Sequence, residues 1–276
     1  MRPLRTWDEV SAVAAAARGA GFFTTNFFPD RTRMAEWCRD GSFFVESGGE
    51  TRFFVRRQEG FCNLYFMSGS AEALAADLNG FVGIAPECRI VADLVGPDRI
   101  RKPLEAAFAS AGFMPLTTLR RMSRKTPQDA GTNPAPVSPE VEHAGVSDAE
   151  AVKALLDSHF VAEEEQLPSV EEIMRWVDAG TLYIVRGDTG NPLRGFTAFD
   201  LSPAALYLRY WFVHPSARGA GVGGMMLRAM FAAGCGTRRQ YFWVKADNEN
   251  AIARYRHYGF EFEPMEDVVM GLAMKR

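Results

Sequence analysis

The sequence predicts an α/β protein built as two domains in tandem, with helices and strands following in the same order in each. Three observations carry that expectation. A chain of 276 residues is long for one hydrophobic core and suits two domains of the usual size, about 100 to 200 residues each. Residues 125–140 read KTPQDAGTNPAPVSPE, rich in Pro, Ser, Thr, Asn and Gly and nearly free of large apolar side chains, which is the composition of a linker. On either side of it landmarks recur: Trp37 and Gly41 are spaced like Trp176 and Gly180, and ASAGF, with Gly112 and Phe113, has its counterpart in RHYGF, with Gly259 and Phe260. The boundaries drawn from these signals are a first domain over 1–125, a linker over 126–140 and a second domain over 141–276.

Periodicity places the elements. In the first half, apolar residues at helical spacing mark 7–18 and 32–39, and runs rich in aromatic and β-branched residues mark strands at 43–46, 52–56 and 62–67. Helix, strand, helix and strand follow. In the second half the same reading gives helices at 148–159 and 169–178 and strands at 182–186, 195–201 and 206–213, then helix, strand, helix and a strand pair. Longer loops around Pro203 and Pro215 account for its greater length.

Composition narrows the function. The chain is 47% hydrophobic and 24% charged, ordinary for a soluble globular protein. With 31 basic and 34 acidic residues its formal charge is -3, so nothing draws it electrostatically to nucleic acid or an anionic membrane, and a small-molecule partner is favoured. Cys38, Cys62, Cys88 and Cys235 are scattered without a C-x-x-C pair, and they and the four histidines show no metal-ligand spacing. No metal is expected, and a reduced, cytoplasmic setting fits. Residues 10–17 are apolar and follow Arg2 and Arg5, but the run is short and preceded by Asp8 and Glu9, so no export signal is expected. No apolar run approaches the roughly 20 residues that span a bilayer.

The informative segment is LYLRYWFVHPSARGAGVGGMMLRAMF, residues 206–231. A β-rich run ends at Val213, a Pro-containing loop follows, and Gly219, Gly221, Gly223 and Gly224 lead into an apolar helix. Bare backbone at a helix start lets successive amides converge on a phosphate oxygen, helped by the partial positive charge of the helix N-terminus. Arg218 adds a permanent cation. The same glycines spell G-x-G-x-x-G, but a dinucleotide fold puts them directly after its first strand and needs several further strand-helix units, for which the remaining chain has no room. Downstream, ADNENAIARYRHYGFEF, residues 246–262, reads as a helix capped by Asn248, with Ile252 and Tyr255 on one face and Gly259 closing it.

Together these segments resemble the GNAT family of acyl-CoA N-acyltransferases. Arg218, Gly221 and Gly223 meet its cofactor motif. Val213, Pro215, Arg218, Gly219 and Gly221 meet the run around it, with one extra residue before the arginine. Asn248, Ala251, Ile252, Tyr255, Gly259 and Phe260 meet the later pattern. The resemblance implies a mixed, mostly antiparallel sheet flanked by helices, splayed between the strand ending at Val213 and the one at 241–245. It implies pantetheine of acetyl-CoA or another acyl-CoA beside the backbone of Phe212 and Val213, with its pyrophosphate on Arg218, Gly219, Ala220, Gly221, Val222, Gly223 and Gly224. Asn248 would touch the cofactor arm, and Tyr255 would stand near the thioester sulfur. The first half departs from the pattern, since CNLYFMS runs straight into GSAEALAADL with no arginine and only Gly69. It reads as a degenerate GNAT-like domain with a structural or substrate-shaping role.

The implied activity is acyl transfer from acyl-CoA to a primary amine of a small molecule or amino-acid-like acceptor. A non-catalytic acyl-CoA-binding module, or an aminoacyl or long-acyl transferase of tandem build, are the alternatives. The chemistry needs a neutral amine, an oxyanion donor and a proton for the thiolate. Tyr255 is the expected acid, and family analogy makes the Val213 N–H the oxyanion donor. The strand before the glycine loop carries no carboxylate, which leaves Asp200 as the expected base through water. Glu163, Glu164 and Glu165 can draw a cationic acceptor, Arg209 an anionic one. His214 and His257 read as surface or loop residues.

Overall fold

The computed structural model describes residues 1–84, 88–126, 138–188 and 191–273. Residues 127–137, most of the expected linker, lie outside them. The first unit comprises Met1–Leu119 with Pro264–Arg276, and the second comprises Arg120–Glu263. The boundaries expected at 125 and 141 therefore shift, and the end of the chain joins the first unit. The reason is a strand pairing far apart in sequence, described below, which composition does not report.

In the first unit the order is β1 (Arg2–Pro3), α1 (Trp7–Gly19), β2 (Thr24–Thr25), α2 (Arg31–Arg39), β3 (Phe43–Ser47), β4 (Thr51–Arg57), β5 (Phe61–Ser68), α3 (Ala71–Ile84), β6 (Arg89–Gly96), α4 (Asp98–Ser110) and β7 (Met114–Lys125), whose last residues belong to the second unit. Polar caps start the helices: Thr6 accepts from the Glu9 N–H at 3.3 Å and Asp30 from that of Arg33 at 2.8 Å. β3, β4 and β5 are antiparallel neighbours, and β5 then pairs in parallel with β6. β5 is almost wholly buried, its Leu64 and Phe66 packing on Leu74 and Leu78 of α3 and Phe108 of α4.

Cys62 on β5 and Cys88 just before β6 form a disulfide, with Cα atoms 6.6 Å apart. This corrects the expectation of a reduced chain, drawn from cysteines that form no C-x-x-C pair. The partners are brought together by parallel strand pairing across α3, so their spacing in sequence carries no motif.

The second unit follows with β8 (Val141–His143), α5 (Ala149–His159), α6 (Ala162–Glu165), α7 (Val170–Asp178), β9 (Leu182–Asp188), β10 (Asn191–Leu201), β11 (Ala205–Val213), α8 (Val222–Ala233), β12 (Arg239–Lys245), α9 (Glu249–His257) and β13 (Glu261–Leu272). From Pro264 on, β13 belongs to the first unit, where Glu266–Leu272 lie antiparallel to Ile90–Gly96 of β6. α7 opens on a capping box in which Ser169 and Glu172 satisfy each other's backbone amides. β8, β9, β10 and β11 form an antiparallel run, and β12 lies parallel to β11. Buried Tyr210 and Phe212 pack with α5 and α7, whereas Leu206 and Leu208 pack with Leu227 and Met230 of α8. That change of face within one strand comes from a bulge: Ala198 pairs with Tyr210 and Phe199 with Leu208, leaving Arg209 as the extra residue.

Each unit has one parallel strand pair that opens along its length. β11 and β12 pair only over Ala205–Tyr207 and Arg239–Tyr241, then run on to Val213 and Lys245 as an open splay. In the first unit β5 and β6 do the same, pairing only over Phe61–Asn63 and Arg89–Val91. Among the described residues no helix is long and apolar enough to cross a membrane.

Candidate functional site

A cavity of about 650 Å³ lies where the end of β11 meets the first turns of α8 and α9. Trp211, Phe212 and Val213 come from the strand; Arg218, Gly219, Gly221, Val222, Gly223 and Gly224 from the loop and helix start; Asn248, Asn250, Ala251 and Arg254 from α9. Two helix N-termini thus converge on one space, each with first-turn amides that have no acceptor within the helix. Among the described residues Arg218 has no ion-pair partner, and Arg254 supplies a second guanidinium at the wall.

The glycines serve different ends. Gly219 and Gly221 adopt φ of +85° and +79°, the left-handed region that glycine enters freely, and a Cβ on either would meet nothing within 4 Å. They shape the loop. Gly223 has no such φ, but a Cβ there would lie 2.7 Å from Cζ2 of Trp211. It is small to admit the indole, whose Nε1 is buried without an acceptor. Packing of Trp211 against the helix start is what sequence reasoning missed. Arg254 and Asn250 were legible in principle, since they fall on the face of α9 that carries Ala251.

The edge of β11 toward the splay is free to receive a ligand. The His214 N–H donates to Arg194 O at 2.9 Å, so by the alternation of an antiparallel ladder Val213 and Trp211 turn their N–H and C=O groups away from β10. Asn248 lines the cavity while its Oδ1 accepts from the Ala251 N–H at 3.1 Å and caps α9. Ala220 lies in the loop between Gly219 and Gly221, outside the lining.

Other expected residues are placed differently. Tyr255 is 6% exposed, with its ring centroid 3.9 Å from that of Phe242 and 5.4 Å from that of Trp211, and it is not part of the cavity wall. Burial pushes its phenol pKa up, so it keeps its proton. Asp200 is not set up as a free base. Its carboxylate accepts from Trp176 Nε1 at 2.8 Å and faces Arg209 at 3.7 Å, which gives it an anchoring role. Glu164 is not an open acidic patch either, because Lys245 Nζ stands 2.7 Å from its Oε2 and 3.1 Å from Glu165 Oε1. Glu163 shares the short helix α6 with them. Arg209, at the bulge, lies 4.9 Å from the Tyr207 ring centroid and is mostly buried. His214 bonds Ser216, and His257 lines a second cavity of about 380 Å³ that shares Trp211, Gly224 and Arg254 with the first.

In the first unit the corresponding splay is filled by the chain itself. β4 occupies one edge of β5 along Cys62–Ser68, so β2, which pairs with Met67 and Ser68, adds on the edge facing β6. Next to it Asn26 Nδ2 donates to Leu64 O on β5 and to Asp93 O on β6, at 3.2 and 3.1 Å, while its Oδ1 accepts from the Phe66 N–H at 2.7 Å. The side chain takes the backbone groups that a ligand in the splay would need.

The profile of the Acetyltransferase (GNAT) family matches residues 149–260. No curated protein is a significant match. Among solved structures, a tandem GNAT protein from the clavulanic acid biosynthesis pathway is 15% identical, with a TM-score of 0.64, covering 100% of this chain and 98% of that one. A GCN5-related N-acetyltransferase from Sphaerobacter thermophilus is 13% identical with a TM-score of 0.58, covering 97% and 92%. A Drosophila protein is 16% identical with a TM-score of 0.58, covering 99% of both chains. At such identities the likeness is one of fold, and it extends across the first unit. Residues 149–260 therefore match the acetyltransferase (GNAT) family, and the fold of the whole chain is like that of a tandem GNAT protein.

Proposed function

We propose that the second unit binds an acyl-CoA, such as acetyl-CoA, and transfers its acyl group to a primary amine of a small acceptor, while the first unit binds no cofactor. The observation that carries this reading is the cavity in which two helix N-termini, Arg218 and Arg254 meet the free edge of β11. Such a wall suits a pyrophosphate at one end and an extended amide-bearing arm along the strand. Acyl-CoA supplies the activated thioester. Arg218 and the first amides of α8 hold the phosphates, and the backbone of Val213 and Trp211 orients the arm. A β11 N–H, with Val213 as the expected donor, steadies developing negative charge on the thioester oxygen. Tyr255 is the proposed proton donor to the departing thiolate, supported by its retained proton and its packing on Trp211, which lines the cavity.

The filled splay of the first unit supports a single site. Calorimetry of acetyl-CoA against the full chain should report one site, and free thiol should appear when a primary amine is added. Arg218→Ala should weaken CoA about 10-fold or more and pantetheine little, since it removes a charge-assisted phosphate contact. Two equivalent sites, or an Arg218→Ala chain that binds CoA normally, would overturn the reading. Binding without thiol release from any amine would leave a binding module.

A further inference from the structure

The last strand of the chain docks on the first unit beside a buried acid that lacks a hydrogen-bond partner. Glu266–Leu272 of β13 pair with Ile90–Gly96 of β6, a register that sets Asp267 opposite Val95 and Asp93 opposite Val269. Opposed residues share a sheet face, as do residues two apart along one strand, so Asp267 and Asp93 are diagonal neighbours on the same face. Among the described residues Asp267 Oδ1 is shut off from solvent and has no hydrogen-bond partner. The cation that acts on it is Arg101 of α4, which is 5% exposed, bonds Asp98 and Glu266 at 2.6 Å each, and pairs with Glu105. One guanidinium thus serves three carboxylates before Asp267 is counted. An ionised carboxylate buried without a donor is costly, and two side by side are more so.

We propose that Asp267 keeps a proton against Asp93 in the folded chain, and that this proton is a latch: as it leaves with rising pH, the pairing of β13 with β6 loosens. The latch lies wholly within the first unit and stands apart from the acyl-transfer reading. With the proton on Asp267, one negative charge rather than two lies between the strands. Without it, the two carboxylates repel across the ladder. Burial pushes the Asp267 carboxyl well up, the Asp93 carboxylate adds to the rise, and Arg101 and the Leu94 backbone pull it down by less. The charged groups that act on it are therefore Asp93 from β6 and Arg101 from α4, with Asp98, Glu105 and Glu266 holding Arg101. A carboxyl raised in the folded state binds its proton more tightly there than in the unfolded chain. Its contribution to stability is whole below the ordinary value of 3.8 and is lost as pH rises from there through the folded value.

The test compares wild type, Asp267→Asn and Asp93→Asn as full chains from about pH 4 to about pH 9, by hydrogen exchange of residues 266–272 and by urea unfolding. Asn has the size of the acid and no charge, so Asp267→Asn stands in for the latched state. Comparison at one pH cancels the ordinary base catalysis of exchange. Relative to that variant, the wild type should lose protection in 266–272 by up to about tenfold per pH unit, from 3.8 upward until Asp267 has ionised. Exchange in Leu182–Asp188 of β9, in the second unit, should stay alike in the two chains. The gap in urea stability should widen over the same range. In Asp93→Asn the loss should end at lower pH, because the carboxylate that repels Asp267 is gone. A gap between wild type and Asp267→Asn that does not change with pH would make Asp267 a packing residue and overturn the latch. So would an Asp267→Asn chain less stable than wild type at the alkaline end, or an Asp93→Asn chain whose loss spans the wild-type range.

Discussion

Replacing Gly223 by alanine sets a methyl carbon 2.7 Å from Cζ2 of Trp211 and 3.1 Å from Cγ2 of Val213. Carbon atoms rest at about 3.5–4.0 Å, so the indole has to move by about an ångström. It is hemmed in by Tyr255, whose ring centroid is 5.4 Å away, and Val213 closes the other side. Overpacking of this kind costs about 1–3 kcal/mol, against which alanine returns about 0.5–1 kcal/mol of helix propensity. The net loss, about 0.5–2 kcal/mol, should lower the melting temperature by about 1–8 °C, at a few degrees per kcal/mol for a domain of this size. Displaced toward the cavity, the indole should also weaken acetyl-CoA binding. Thermal unfolding and calorimetry measure both. In the double variant Gly223→Ala/Trp211→Phe the smaller ring should accept the methyl group, so the two changes should couple by about 1 kcal/mol in a double-mutant cycle. A Gly223→Ala protein as stable as the wild type, with purely additive behaviour in the cycle, would refute the claim that this glycine is small for the sake of the indole.

Asn26→Ala removes three hydrogen bonds and strands the Phe66 N–H in a part-buried place, so it should cost about 2–4 kcal/mol in thermal or urea unfolding without creating a second acetyl-CoA site. Asp148 accepts from Arg186 and from the Gly145 N–H, which hold its carboxyl below its ordinary value of 3.8. A carboxyl lowered in the folded state stabilises above that value and loses the contribution as pH falls through its folded one. Asp148→Asn should therefore cost about 1 kcal/mol at pH 7, a small figure because Arg186 is half exposed, and the gap from wild type in unfolding experiments should close as pH falls below 3.8. Tyr255→Phe keeps the ring against Phe242 and removes its proton, so turnover should fall by about 10²- to 10⁴-fold with acetyl-CoA affinity little changed. Unchanged turnover, with chemistry limiting, would make Tyr255 a packing residue.

The sequence by itself was enough for the tandem organisation and for the glycine-rich loop at the start of α8, because both are written locally. Gly219 and Gly221 supply the left-handed turns of that loop, which glycine enters freely, and Asn248 caps its helix through a residue three positions on, so short-range chemistry reports them. What lay beyond the sequence depends on strands that meet across long separations. Pairing of β13 with β6 decided that the end of the chain belongs to the first unit, and pairing of β5 with β6 brought Cys62 to Cys88. The bulge at Arg209 turned Tyr210 to the opposite face, where its hydroxyl meets α6. Lys245, on another strand, turned an apparently open acidic run into a clasp, and Asn26 closed the splay of the first unit with a side chain that no motif marks. Each of these is a contact between residues whose own neighbours say nothing of it, so only the folded backbone could place them together.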